Sequence, residues 1–134
     1  MNLEIVTDQD LARIQDWIDQ DTSKIHKQPA EWLTGNGQLA FRHDDLRGPV
    51  CYVRVDKENE LLRLYYLFAP ESEVSKSRNA KAILMTLGML IDYAKHLGLK
   101  GLIYDSKSEK LIQFVHVAFG FVPAGEDNYK LEWE

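Results

Sequence analysis

The alternation of apolar and polar residues predicts strands along most of the chain. The first stretch, LEIV at residues 3–6, is short and rich in β-branched side chains. Three more stretches follow with only the turn-rich segments DLRG and DKENE between them, which predicts an antiparallel meander. The last two stretches flank the turn EDN and predict a terminal hairpin. The predicted strands after the first are 38–44, 48–57, 60–70, 99–106, 121–125 and 129–133.

Two stretches near the N-terminus have helical periodicity instead. Apolar residues at spacings of three, three and one predict an amphipathic helix that follows a cap at Thr7 or Asp8. A shorter helix is expected at residues 30–33, after a less regular segment. The apolar stripe of the first helix consists of Leu11, Ile14, Trp17 and Ile18. Trp17 is therefore expected in the core.

Two longer helices are predicted in the second half of the chain. Residues 80–98 are apolar on nearly every side, which is typical of a helix packed against a sheet, and Gly98 is expected to end it. A polar loop at 71–79 precedes this helix. The segment 108–120 predicts a further helix with a serine cap at its start and a glycine at its end.

The elements therefore follow the order β-α-(α)-β-β-β-α-β-α-β-β. This order predicts an α/β (α+β) fold in which a mixed, mostly antiparallel sheet is flanked by helices on both faces. No repeat or linker divides the sequence, and 134 residues suit one hydrophobic core. Residues 1–134 are thus expected to form a single domain.

Composition and charge narrow the class of protein. The chain has 21 acidic and 16 basic residues, and its net charge of −5 disfavours binding to nucleic acid. The N-terminus has no signal-like region, and no apolar run reaches the roughly 20 residues that cross a membrane. The single cysteine, Cys51, lies in a strand-like run and is expected to be buried and inert. These features predict a cytoplasmic protein, and the four scattered histidines indicate no metal site.

Two short motifs and the order of elements carry a resemblance to a known family. Phe68-Ala69-Pro70 ends the fourth predicted strand, and His116 begins the run HVAFGF at the end of the last helix. The chain resembles the GNAT superfamily of N-acetyltransferases, whose fourth strand ends in a V-x-P-like tripeptide and whose last helix commonly ends in Y/H-E-K-L-G-F. The likeness implies an acyl-CoA cofactor, here acetyl-CoA. This cofactor would enter a slot between two neighbouring strands that part beyond Pro70.

The acyl-CoA loop of that family has a degenerate counterpart here. The loop usually reads Q/R-x-x-G-x-G/A, and in this chain Ser77 stands at the Gln/Arg position and Ala80 at the first glycine. The resemblance implies that five backbone positions hold the pyrophosphate of the cofactor, and that nearby cations, including Lys76, add positive charge. The five positions are Arg78, Asn79, Ala80, Lys81 and Ala82. The alternative is a solvated polar loop that caps a core helix.

The resemblance also assigns catalytic roles. His116 stands where the family has a tyrosine, or sometimes a histidine, that protonates the thiolate of CoA as it leaves. Imidazole suits this task because its unperturbed pKa is about 6.5. Helical spacing alone places His116 at the edge of the apolar face, so the alternative is an edge-of-core histidine bonded to a backbone carbonyl. The backbone N–H near Phe68 or Ala69 would be the oxyanion donor.

The acceptor side of the site is less defined. The fourth predicted strand has no carboxylate after Glu60 that could take a proton from an attacking amine. Tyr65 or Tyr66 could hold a water molecule there, and only one of them reaches the cleft because adjacent strand residues face opposite sides. Trp32 and Tyr52 are candidates to line an acceptor groove.

Two functions of different classes are consistent with the sequence. The first is an acyl-CoA-dependent N-acyltransferase that moves an acetyl group to an amine of a small molecule or a protein. The second is a catalytically inactive GNAT-like module that binds a protein partner, for example a phage or mobile-element protein that acts on a host or virion partner. The missing glycines of the loop and the lack of a clear base favour this alternative.

Overall fold

Seven strands form one mixed sheet in a computed structural model that describes residues 2–20, 30–33, 39–70 and 73–133. The order across the sheet is β1-β2-β3-β4-β5-β7-β6, and every neighbouring pair is antiparallel except β4 and β5. The strands are β1 (Asn2–Ile5), β2 (Leu39–Asp45), β3 (Gly48–Glu58), β4 (Leu61–Phe68), β5 (Gly101–Asp105), β6 (Val122–Pro123) and β7 (Asn128–Glu132).

Three α-helices and two short 3₁₀ helices complete the described structure. They are α1 (Leu11–Gln20), α2 (Lys76–His96), α3 (Glu109–Phe119) and the 3₁₀ helices Asp8–Asp10 and Ala30–Leu33. The predicted order of elements and the predicted fold class are confirmed. No helix within residues 2–20, 30–33, 39–70 and 73–133 is long and apolar enough to cross a membrane.

The third strand was predicted to end one residue too early, at Lys57. β3 continues to Glu58, so only Asn59 and Glu60 form the turn, with Asn59 in the left-handed region at φ 57°. The first three residues of the turn-rich run DKENE belong to β3, where they pair with β4, and Asp56 accepts a hydrogen bond from Arg54 at 3.1 Å. The short turn fixes the register of the hairpin, which pairs Tyr65 with Arg54.

The start of α2 was also predicted too late. The helix begins at Lys76, four residues before the expected start at Ala80. Ser75 caps it, because its side-chain oxygen accepts the Arg78 N–H at 3.3 Å and its carbonyl oxygen accepts the Asn79 N–H at 3.1 Å. The residues assigned to a phosphate-binding loop therefore form the first turns of a helix.

Helices cover both faces of the sheet. On one face, the ring of Trp17 from α1 meets the ring of Tyr52 from β3 edge to face, with centroids 5.2 Å apart. On the other face, the hydroxyl of Tyr66 from β4 is hydrogen-bonded to Thr86 of α2. Trp17 is 2% exposed, which confirms its place in the core, and Cys51 is buried as predicted.

A buried carboxylate joins the first elements of the chain. Asp10 is 2% exposed. Burial alone would raise its pKa, but hydrogen bonds from the Thr7 N–H, the Tyr52 hydroxyl and Arg42 lower the pKa overall. Tyr52 is fully buried in this network, so the expectation that it lines an acceptor groove is wrong. The side chain of Trp32, the other candidate, lies outside the described residues.

A glycine sets the distance between the central strands. Gly101 begins β5 between β4 and β7, and a Cβ atom there would collide with the carbonyl oxygen of Leu131 and lie 2.9 Å from a methyl group of Leu61. Only a residue without a side chain fits this position.

An ion pair fastens the start of α2 to the β2–β3 hairpin. The guanidinium of Arg78 donates two hydrogen bonds to the carboxylate of Asp45, both at 2.7 Å. The hydrogen bonds from Arg78, with a further one from the Arg47 N–H, lower the pKa of Asp45 to about 2 although partial burial opposes the shift. Such a two-bond pair is stronger than a single surface contact.

We expect the substitution Asp45→Asn to lower the free energy of unfolding by about 1–2 kcal/mol at about pH 7, because it removes a two-bond, partly buried ion pair. The pKa of Asp45 is lower in the folded state than its ordinary value of 3.8, so the stabilisation is present above that value. It is lost as the pH falls towards 2. Denaturant unfolding of both proteins across this range measures the difference.

The matched control is Asp92→Asn, an exposed carboxylate on α2, which should change stability little. Equal unfolding free energies for Asp45→Asn and the unsubstituted protein at neutral pH would contradict the assigned role of the pair.

Candidate active site at the fork between β4 and β5

The parallel strands β4 and β5 separate after three residue pairs. Leu61, Leu62 and Arg63 pair with Gly101, Leu102 and Ile103. Within the described residues the ladder ends there, while β4 continues to Phe68 and β5 to Asp105. We call the opening between the two strand ends the fork. The parting of two neighbouring strands was expected beyond Pro70, but it begins earlier, directly after Arg63.

The backbone of β4 presents hydrogen-bonding groups to the fork. The Ala69 N–H donates to the Val50 carbonyl oxygen at 3.0 Å, so it points to β3. In an antiparallel ladder successive residues direct their backbone groups to opposite sides, and the β3–β4 register is unbroken. The N–H groups of Tyr66 and Phe68 therefore point towards the fork. Of the two predicted oxyanion donors, Ala69 is engaged within the sheet and Phe68 remains a candidate.

The two adjacent tyrosines of β4 lie on opposite faces, as predicted. Tyr66 is buried beneath α2. Tyr65 lies on the other face, beside Arg63 and across from Arg54. Burial raises the pKa of Tyr65, while the charge of Arg63 opposes this and nearby carboxylates add to it. Tyr65 is therefore a neutral phenol near neutral pH.

Three carboxylates near Tyr65 were missed from the sequence. Glu58 of β3 accepts two hydrogen bonds from Arg63, both at 2.9 Å, and Asp56 pairs with Arg54. Asp105 of β5 lies 3.7 Å from Arg63, and within the described residues it accepts no hydrogen bond. A two-residue turn fixes the β3–β4 register, and this register would have placed Glu58 and Asp56 beside β4. Asp105 depends on the β4–β5 pairing, which no local pattern shows.

The predicted pyrophosphate site lies in the first two turns of α2. Arg78 is paired with Asp45, so its charge is already balanced. Ala82 is 1% exposed, and its carbonyl oxygen accepts a hydrogen bond from Thr86 at 2.7 Å. Asn79 and Ala80 are half-buried, and Lys81 is exposed. The backbone N–H groups from Asn79 onwards are used inside the helix, whereas those of Lys76 and Ser77 precede its first hydrogen bonds.

His116 lies in the last turn of α3 and is exposed. Its Nδ1 atom is 2.7 Å from the carbonyl oxygen of Phe121. Gly120 makes this contact possible, because its left-handed conformation, φ 91°, turns the chain back towards the helix, and its N–H donates to the His116 carbonyl oxygen at 2.9 Å. Since a carbonyl only accepts, Nδ1 carries the hydrogen and Nε2 has the lone pair.

The predicted site residues are thus distributed over three elements. His116 is hydrogen-bonded to Phe121, and Arg78 is hydrogen-bonded to Asp45. His116 and Arg78 do not contact each other through these bonds. The hydrogen bond expected for an edge-of-core histidine is present, but the ring is exposed. The described residues bring no three metal-ligating side chains together.

Two comparisons of the sequence with known proteins gave no match. No protein-family model matches it, and no curated protein matches it either.

Solved structures of similar fold cover nearly the whole chain. The ribosomal-protein-S18-alanine N-acetyltransferase from Escherichia coli is 14% identical, with 96% of this chain and 90% of that chain covered at a TM-score of 0.68. The GNAT domain of S. lividans PAT is 13% identical over 98% and 89% of the chains, with a TM-score of 0.70. The spermidine N-acetyltransferase from Vibrio cholerae is 13% identical over 98% and 92%, with a TM-score of 0.70. The chain therefore has the fold of the GNAT superfamily of N-acetyltransferases.

Proposed function

We propose that the protein is an acyl-CoA-dependent N-acyltransferase that moves an acetyl group to an amine acceptor. The observation that carries this proposal is the fork between β4 and β5, in a GNAT fold, with the backbone groups of Tyr66 and Phe68 directed into it. An extended ligand with amide groups can hydrogen-bond to such an open strand edge as another strand would.

The residues around the fork fit an acyl-CoA molecule. Acetyl-CoA would supply the acetyl group as a thioester. The open edge of β4 would hold its extended arm, and the N-terminus of α2, with Lys76, Lys81 and the N–H groups of Lys76 and Ser77, would hold its phosphates. Lys76 and Lys81 form no ion pair with any described residue, so their charge is available, unlike that of Arg78.

The reaction requires stabilisation of the negative charge on the acyl oxygen and delivery of a proton to the leaving sulfur. The Phe68 N–H would donate a hydrogen bond to the oxygen that gains negative charge when the amine attacks the acyl carbon. The Nε2 lone pair of His116, whose Nδ1–H is held by the Phe121 carbonyl oxygen, would take up, through water, the proton that the attacking amine loses. The imidazolium formed would pass this proton to the leaving sulfur as the carbon–sulfur bond breaks. Tyr65 would hold water on the acceptor side, where the carboxylate of Asp105, which lies 3.7 Å from Arg63, would attract the incoming ammonium group.

Binding of acetyl-CoA tests the proposal directly. We expect calorimetry to show saturable binding at or below millimolar concentration, together with a rise in melting temperature. The double substitution Lys76→Gln/Lys81→Gln should weaken binding about tenfold and reduce its dependence on salt, because it removes two cations near the phosphates.

The control for that experiment is Lys57→Gln, which should leave the affinity unchanged. Lys57 is an exposed lysine near the C-terminal end of β3, whereas Ala69, just after the end of β4, is bonded to the start of β3. Absence of any heat and any melting shift with the unsubstituted protein would end the transferase proposal.

Substitution of His116 tests the proton donor. Asparagine can keep the hydrogen bond to the Phe121 carbonyl oxygen, because its amide nitrogen lies where Nδ1 does, but it has no counterpart of Nε2. We therefore expect His116→Asn to lower kcat about 100-fold with little change in KM for acetyl-CoA and in melting temperature. Release of free CoA thiol in the presence of an amine acceptor measures the rate.

The matched control is His96→Asn, an exposed histidine in the last turn of α2. A kcat for His116→Asn equal to that of this control would show that the histidine has only a structural role.

A second candidate function is a GNAT-like module that binds a protein partner and has lost catalysis. The pairing of Arg78 with Asp45, together with alanine at the glycine positions of the loop, favours this reading over tight cofactor binding. Recovery of one stoichiometric partner by a protein that does not bind acetyl-CoA would support it.

A further inference from the structure

The hydroxyl group of Tyr104 is buried and has no hydrogen-bond partner. The residue is 7% exposed, and its ring lies edge-on to Phe121 at 5.2 Å and stacked on Tyr129 at 5.6 Å. Burial raises the pKa of Tyr104, so the group stays protonated and remains a hydrogen-bond donor. The ring of Tyr104 therefore packs against other aromatic rings, while its hydroxyl group lacks a hydrogen-bond partner.

An unsatisfied buried hydroxyl is costly, and phenylalanine would fill the same space without the cost. Four buried side-chain atoms in the described residues have no partner. Those of Trp17, His43 and Asn79 belong to α1, β2 and α2. The Tyr104 hydroxyl is the one among the four that belongs to a strand bordering the fork.

The position of Tyr104 links it to the fork on one side and to His116 on the other. It follows Ile103, the last residue of β5 that pairs with β4, so it stands where the strands begin to separate. Its ring partner Phe121 is the residue whose carbonyl oxygen holds the His116 ring. The backbone of Tyr104 is thus beside the opening, and its ring contacts the residue that holds the proposed proton donor.

We propose that Tyr104 is a ligand-binding residue whose hydroxyl donates a hydrogen bond to a carbonyl oxygen of the acyl-pantetheine arm of acyl-CoA. This inference rests on the proposed function and adds to it a donor from β5, opposite the backbone donors of β4. An amide or thioester carbonyl is an acceptor without a hydrogen of its own, so it complements a phenol that has only a hydrogen to give in a buried site. The unsatisfied state of the hydroxyl in the free protein is then the cost of a preorganised site.

The substitution Tyr104→Phe separates this role from a merely structural one, because the two predict different combinations of effects. We expect the melting temperature without ligand to rise by about 2–5 °C, since an unsatisfied polar group is removed. We expect the affinity for acetyl-CoA to fall about three- to tenfold, since one neutral hydrogen bond is lost. Calorimetry with acetyl-CoA and with CoA gives the affinities, and a loss confined to acetyl-CoA would assign the bond to the thioester carbonyl.

The control is Tyr93→Phe, a half-buried tyrosine of α2 whose ring packs edge-on against Phe41, which should leave the affinity unchanged. If the unsubstituted protein binds acetyl-CoA and Tyr104→Phe binds it equally well, the role of Tyr104 is refuted and the proposed function stands. If the unsubstituted protein does not bind acetyl-CoA, both are refuted. A lower melting temperature for Tyr104→Phe would also refute the role, because it would mean that the hydroxyl has a partner in the free protein.

Discussion

The backbone of β4 needs hydrogen-bond partners on two sides, and after Arg63 it has a neighbouring strand on only one. β3 satisfies the set of groups that includes the Ala69 N–H. The other set, which includes the N–H groups of Tyr66 and Phe68, faces the fork. Backbone groups inside a protein are rarely left without partners, so this edge calls for water or a ligand. The chemistry proposed for this protein depends on that single interruption of the sheet.

The sequence predicted the sheet well because strand and helix periodicity are local. It failed at two boundaries, and both errors concern polar residues. Ser75 is a helix cap in a segment whose polarity had indicated a loop, and Glu58 is a strand residue one position beyond the predicted end of the third strand. A cap preference would have revealed the first. The second required the register of the hairpin, which a two-residue turn sets.

The candidate site shows the same division between local and distant contacts. His116 and its partner Phe121 are five residues apart, and the glycine between them already indicated that the chain turns back there. Arg78 and Asp45 are 33 residues apart, and no pattern in one sequence indicates their pairing. This pairing changes the picture most, because it removes from the cofactor site a cation that the sequence had placed there.

The glycine at the start of β5 gives the fork a fixed apex. Gly101 packs so closely against Leu61 of β4 and the backbone of Leu131 of β7 that a Cβ atom would not fit, and β5 is paired with both neighbouring strands at this residue. Any widening of the opening must then come from the distal ends of β4 and β5, near Phe68 and Asp105. The ends of β4 and β5 would then move about their paired residues. A bound molecule would be held most tightly at the end that lies nearest to those paired residues.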